Sequence, residues 1–487
     1  MRDVVHSAAR HCSSWRAVCP RGYLVALLAA TMLPYTALAA PYSTASPVPS
    51  PAISEASSTL SSPAQCHPWP LVIAHRGASG YRPEHSQMAY ELALQQGADV
   101  LELDLVVSLD GQLIIRHENE LSLSTNIADI AAFQARKTRK HIDGLWVEGW
   151  FAEDFSWAEL QTLKLRESKP AQRPDNTRFN DQAPLWRLQD FLQWLKTPAI
   201  QAHVFDIYIE LKHPYYFSQL KTAAAPQGYD MAALLAAQLD ATALRLPHAA
   251  MHSGDLMHSG DPMYSGDPMH SGDQGAAPSA QRSKADKAYR HIYLQAFEPT
   301  VLQRWRQQHA ARVAYDVTVV QLLGDLTAAS RLPQDNFSHP YDWVGQAQAQ
   351  QPLPALAFAD AKLPDYAAMV TPAGLTYMKS YADALGPWYP QVSNADNGQL
   401  QPWVQQAKAH GFKIHPYTLR QGQDFLRKNS KGQIVTMQQE LRWLFQQGID
   451  GVFTDEPDVA IATRQAMRQT THQTTHQTTY QTWCQGR

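Results

Sequence analysis

Short apolar runs alternate with longer amphipathic ones over most of the chain. LVIAH (71–75), VLELDL (100–105), QLIIRH (112–117), IYIELK (207–212), IYLQAF (292–297), RVAYDV (312–317), YADALG (381–386), FKIHPYT (412–418) and GVFTD (451–455) predict strands. SQMAYELALQQ (86–96), LQDFLQWLK (188–196), MAALLAAQL (231–239), PTVLQRWRQQHA (299–310), QPWVQQAKAHG (401–411) and MQQELRWLFQQG (437–448) predict helices. Strands that alternate with helices in this way predict a parallel α/β architecture. Nine candidate strands are one too many for a (β/α)8 barrel. The second and third are joined only by VVSLDG, too short for a parallel crossover. An antiparallel hairpin turning at Asp110-Gly111 resolves the count.

The stretch from about 119 to 200 fits the alternation poorly and is rich in Trp, Asp, Arg and Lys. It reads as an insertion over one end of the barrel. The chain has 487 residues, 44% apolar and 17% charged, with a formal net charge of −3. That is ordinary globular composition, with material for two or three domains or for one large barrel with insertions. The near-neutral balance gives no reason to expect nucleic acid or an anionic membrane surface as a partner.

Both ends of the chain, and one internal segment, fall outside this pattern. Arg2, Arg10, Arg16 and Arg21 precede the apolar run YLVALLAATML, and Ala37 and Ala39 stand at the small-residue positions of a cleavage site. Residues 1–39 therefore read as a signal peptide, cleaved after Ala39 or Ala40, and the protein is expected in the periplasm, or secreted or at the surface. The apolar run is short for a membrane span, so no stable insertion is expected after cleavage. Residues 40–65 are a Ser/Pro-rich leader, and 66–465 are the folded domain. Residues 251–274 repeat MHSGDL, MHSGDP, MYSGDP and MHSGDQ. The whole segment, about 247–285, reads as a disordered surface loop, with a metal-binding tract as the other reading. Residues 466–487 form a polar, repetitive tail expected to be disordered. Cys66 and Cys484 remain after cleavage, and in an oxidising compartment the two can bond.

The polar residues within and after the strands carry the chemistry. Glu102 and Asp104 sit two apart in an apolar strand and so share one face. His75-Arg76 ends the first strand, His117-Glu118 the third, and the fourth carries Glu210 and Lys212. In a barrel the carboxyl ends of the strands converge on the active face. Each signal has a plainer reading: a hydrogen-bonded scaffold histidine, a solvated edge, a structural Glu210–Lys212 pair. Together the plain readings fail, because uncompensated buried carboxylates each cost on the order of several kcal/mol. A divalent cation is the natural partner of Glu102, Asp104 and Glu210, since hard cations take oxygen ligands. Two histidines, a cation, an Arg and a Lys form a coherent set for phosphate ester cleavage.

AHRGASGYRPEHS (74–86), GADVLELDLVVSLDGQLIIRHE (97–118), IYIELKHP (207–214), YLQAF (293–297), KIHPYTLR (413–420) and GIDGVFTDEPD (448–458) resemble the glycerophosphodiester phosphodiesterases, most of all the long periplasmic bacterial type. The resemblance spans about 71 to 458. It implies a (β/α)8 TIM-type barrel with an inserted subdomain after the third strand. It implies hydrolysis of small-molecule glycerophosphodiesters, the deacylated phospholipids, to glycerol 3-phosphate and an alcohol. A glycerol hydroxyl would attack phosphorus to give a cyclic phosphate that water opens. By match to the motifs, His75 and His117 are the acid/base pair. Glu102, Asp104 and Glu210 bind one divalent cation, calcium in the periplasmic type, with magnesium as the alternative. Arg76 and Lys212 contact the phosphate, Glu84 lies near the site, and His415 lines the alcohol pocket with Tyr417, Phe297 and Trp388. The chain departs from the family at Glu118, where Asp is usual, and at Ser86, where Thr is usual. The competing readings are a barrel phospholipase D acting on intact lipids and a surface binding protein on the same fold.

Overall fold

A computed structural model describes residues 69–474, apart from 240–289, 312, 314–316, 328–336, 352, 354–362, 394–397, 423–425 and 430. The segments read as signal peptide and leader, the hexapeptide tract, Cys66, Cys484 and residues 475–487 lie outside the described residues.

Eleven strands are present among the described residues: β1 (Leu71–Ala74), β2 (Val100–Val107), β3 (Leu113–Ile115), β4 (Thr138–Ile142), β5 (Leu145–Gly149), β6 (Asp206–Leu211), β7 (Ile292–Ala296), β8 (Val317–Leu323), β9 (Ala384–Pro387), β10 (Lys413–Ile414) and β11 (Gly451–Thr454). Eight run parallel in the order β10-β9-β8-β7-β6-β2-β1-β11. β10 is short because Pro416 has no N–H for the ladder. Residues beyond it still pair, with Phe453 N donating to Pro416 O at 3.0 Å and Leu419 N to Phe453 O at 2.9 Å. These bonds bring the two ends of the sheet together, so the barrel is nearly closed.

β3 pairs antiparallel with β2, with Leu105 opposite Ile115, as the hairpin reading expects. Gly111 takes φ +77°, open to glycine at no steric cost, and Ser108 Oγ accepts from Gln112 N across the turn. The insertion contains the β4–β5 hairpin, whose turn residues Asp143 and Gly144 have φ +43° and +86°. It also contains the predicted helix Leu188–Trp194.

Alternation along each strand divides the core in two. Leu101, Leu103, Ile207, Ile209, Leu294 and Val319 face the surrounding helices. Ile73, Val100, Tyr208, Val320, Ala384 and Phe453 fill the barrel interior. This explains how β2 is buried at all eight positions yet carries two carboxylates: one face packs on helices, and the other faces inward.

β8 runs through VTVVQLL, dense in β-branched residues, and shares Val317 with the strand expected at 312–317, of which residues 312 and 314–316 lie outside the described residues. One expectation is corrected. The tail expected to be disordered from 466 is helical through Thr474, as the end of the helix Pro457–Thr474. Polar Gln, Thr and Arg are compatible with an exposed helical face, so low hydrophobicity alone did not mark disorder. No described helix is long and apolar enough to cross a membrane.

Candidate active site

The inward face of β2 places Glu102 and Asp104 beside Glu210 of β6. Asp104 is the direct register partner of Glu210. One carboxylate oxygen from each of the three lies within 4.8 Å of the others, and all three side chains are buried. Their ionisation is in conflict. Burial, then the neighbouring Asp104, pushes Glu102 well above the usual carboxylate range. Burial raises Glu210 to about 7 against the pull of Lys212. Burial works on Asp104 too, but His117, the His85 hydrogen bond, Arg76 and Lys212 hold it well below its ordinary value. A divalent cation resolves the conflict, because it lets all three ionise at once. The donor set fits one: every ligand atom is a hard oxygen, and Asp104 Oδ1 is buried without a hydrogen-bond partner.

Two histidines flank the carboxylates in matching ways. His75 follows β1, and its Nδ1 lies 2.7 Å from Asp455 Oδ1, just after β11. His117 follows β3, and its Nδ1 lies 2.6 Å from Glu118 Oε1. In each, a carboxylate accepts the Nδ1 proton and fixes the tautomer with Nε2 unprotonated. Each Nε2 then accepts from a cation: Arg76 Nε at 3.2 Å for His75, Lys212 Nζ at 3.1 Å for His117. Burial, with Arg76 beside both rings, lowers each imidazole to about 3, so both are neutral at pH 7. The longer Glu118 side chain still reaches its histidine.

Arg76, in the left-handed region at φ +61°, donates its backbone N–H to Glu102 Oε2 at 2.7 Å and its Nη1 to Glu84 Oε2 at 3.1 Å. Glu84 thus holds Arg76, and it also accepts from Ser168 Oγ of the insertion at 2.8 Å. Lys212 Nζ sits 2.7 Å from Glu210 Oε1 and 5.7 Å from the half-buried Phe297 ring. On the same side Asp143, at the β4–β5 turn, accepts from His213 Nδ1 at 2.5 Å. The insertion is therefore fastened to the barrel on both flanks of the carboxylates.

The structure brings His75, Arg76, Glu84, Glu102, Asp104, His117, Glu210 and Lys212 into one network. It places His415 elsewhere: its Nδ1 lies 3.1 Å from Tyr208 Oη, in a ring cluster with Tyr293 inside the barrel. Burial, and Lys413, lower His415 to about 4 despite Asp450. The unfolded chain therefore takes up this proton first, and stability falls as pH drops from about 6.5 toward 4. His415→Gln keeps an acceptor for Tyr208 and cannot titrate. Its unfolding free energy should decline less between pH 7 and pH 4.5, by up to about 3 kcal/mol. Parallel curves for variant and wild type would refute that assignment.

Three participants were not anticipated. Asp455, whose Oδ2 accepts from Arg420 Nε at 2.7 Å, orients His75. His85 and Gln295 touch Asp104 and Glu102 at 2.9 and 3.3 Å. Two of them had a sequence signal. Asp455 ends a strand as His75 does, and Gln295 is the polar residue of YLQAF at an inward position.

The chain matches the Glycerophosphoryl diester phosphodiesterase family over residues 75–232 and 269–459. It is 25% identical over 391 residues to the glycerophosphodiester phosphodiesterase GDPD6 of Arabidopsis thaliana, covering 79% of this chain and 83% of that one. It is 24% identical over 413 residues to a glycerophosphodiester phosphodiesterase of Haemophilus influenzae, covering 80% and 88%. Among solved structures, a glycerophosphoryl diester phosphodiesterase of Silicibacter pomeroyi aligns with TM-score 0.45 at 16% identity, over 83% of this chain and 96% of that one.

Proposed function

The chain belongs to the glycerophosphoryl diester phosphodiesterase family of enzymes, and on that premise we propose that it releases sn-glycerol 3-phosphate and an alcohol from deacylated phospholipids. One observation carries the reading: two neutral histidines, each pinned at Nδ1 by a carboxylate, flank a three-carboxylate cluster beside Arg76 and Lys212.

Glu102, Asp104 and Glu210 hold one divalent cation, calcium in this reading. Bound there, it supplies charge neutralisation for phosphate oxygens. An entering phosphodiester anion draws Arg76 and Lys212 onto its own oxygens and releases both Nε2 lone pairs. One histidine then takes the proton from a glycerol hydroxyl as that oxygen attacks phosphorus. The other, protonated in the anion's field, delivers its proton to the departing alkoxide. The product is a cyclic phosphate. Water opens it with the histidine roles reversed, leaving glycerol 3-phosphate. Attack by the substrate's own hydroxyl requires a glycerol half and leaves the alcohol less constrained. The reading also places the enzyme in the periplasm, in the long bacterial type, on the strength of the Arg-rich start, the apolar run and the Ala37/Ala39 site.

The test is glycerol 3-phosphate release from glycerophosphocholine by purified residues 41–487, with calcium, magnesium or a chelator. No release from any glycerophosphodiester by a folded protein would reject the reading. Asp455→Asn should lower kcat roughly a hundredfold or more, because the amide no longer fixes the His75 tautomer. A variant within threefold of wild type would show that Asp455 serves structure alone.

A further inference from the structure

We propose that His85 is a positioning residue of the cation site and that the insertion acts on the cation through it. The proposal rests on the metal-dependent reading above. His85 is buried at 1% exposure, in the left-handed region at φ +61°, and its backbone N–H donates to Arg76 O at 3.0 Å. Its ring bridges two partners. Nε2 lies 2.9 Å from Asp104 Oδ2, and Nδ1 lies 3.0 Å from Tyr90 Oη.

The hydrogens of this bridge follow from the partners. An ionised Asp104 has no proton to give, so the His85 proton sits on Nε2 and donates to Oδ2. Nδ1 is then an acceptor, filled by the Tyr90 hydroxyl. The consequence falls on the other oxygen of Asp104. Oδ2 is taken by His85, with Arg76 Nε at 3.4 Å, whereas Oδ1 is buried with no partner. His85 therefore selects Oδ1 as the oxygen Asp104 offers to a cation and stops the carboxylate from rotating.

Tyr90 is itself held from outside the barrel. It lies in the helix Gln87–Gln95, and its ring packs 5.3 Å from Phe191, 6.1 Å from Trp194 and 6.5 Å from Trp186, centroid to centroid. All three partners belong to the insertion. A line of contacts runs from that aromatic box through Tyr90 and His85 to Asp104. The insertion then does more than cover the barrel: it fixes the orientation of one cation ligand.

The experiment is calorimetric titration of calcium chloride into the chelator-stripped full chain at neutral pH, for wild type, His85→Leu, His85→Gln and Tyr90→Phe. His85→Leu keeps the bulk and loses the donor, and calcium Kd should rise roughly 10- to 100-fold. His85→Gln, whose amide N–H reaches the same oxygen, should recover most of that affinity. Tyr90→Phe should weaken calcium roughly threefold or more, through the loss of tautomer control. A purely structural role for His85 would lower the melting temperature of the stripped protein and leave Kd unchanged. Equal Kd for wild type and His85→Leu would overturn the proposal while the metal-dependent reading stands. If His85→Leu does not fold, a Tyr90→Phe Kd equal to that of wild type overturns it instead. Absence of calcium and magnesium binding by wild type would overturn both.

Discussion

Replacing His117 with alanine should lower kcat for glycerophosphocholine roughly a thousandfold, with KM within a few-fold of wild type. The geometry gives the reason. Glu118 pins the Nδ1 side of the ring, and Lys212 is the donor that occupies Nε2 before substrate arrives. Neutral in the resting protein, His117 is ready to accept a proton as soon as Lys212 turns to the phosphate. Alanine removes the transfer and leaves the carboxylates and both cationic side chains in place, so binding is spared. His75→Ala should cost a similar factor. The double variant should cost far less than the product of the two, because the histidines serve one proton-transfer cycle. Retention of a tenth of wild-type kcat by His117→Ala would remove His117 from the chemistry.

Removing the cation should abolish turnover and also loosen the fold. Three buried carboxylates that share one small volume repel one another, and burial penalises each charge. A cation at about 100 times its Kd stabilises the native state by about 2.7 kcal/mol. Chelation should therefore lower the melting temperature by a few degrees, as measured by differential scanning calorimetry. The fall should depend on pH. Glu210 has a folded-state value near 7 without a cation, so below that pH the stripped protein holds a proton that the unfolded chain releases above about 4.5. The Glu210 contribution to the stability of the stripped protein should thus decline as pH rises from about 4.5 to 7, while the depressed histidines act in the opposite sense with or without the cation, so the gap opened by chelation should be wider at pH 7.5 than at pH 5. Full activity in a chelator that strips calcium and magnesium would exclude the cation from the mechanism.

Much of this site was legible along the chain because barrel chemistry collects at strand ends. His75, Glu102, Asp104, His117, Glu210 and Lys212 each interrupt or close an apolar run, and period-two alternation sends the in-strand carboxylates inward. Asp455 followed the same rule and was still passed over: a lone Asp after a strand is ordinary until a histidine from β1 is seen beside it, 380 residues away. His415 failed the other way. It ends an apolar run like the rest, but depth along the barrel axis separates a residue at the mouth from one in the packed interior. That depth comes from strand stagger, which local sequence does not express. His85 had no periodic signal, since it sits in a left-handed turn whose role depends on Asp104 and Tyr90 at once.

The two faces of β2 impose different rules on one short stretch of chain. Leu101, Leu103 and Leu105 answer to the surrounding helices, where a change of shape is absorbed by repacking and an equivalent apolar side chain serves. Glu102 and Asp104 answer to the cation site, where an added or lost methylene moves a ligand. Tolerance to substitution along Val100–Leu105 should therefore rise and fall with a period of two. A drifting sequence can exchange its leucines freely while the acidic pair between them stands still, so folding and catalysis are inherited on interleaved residues of one strand.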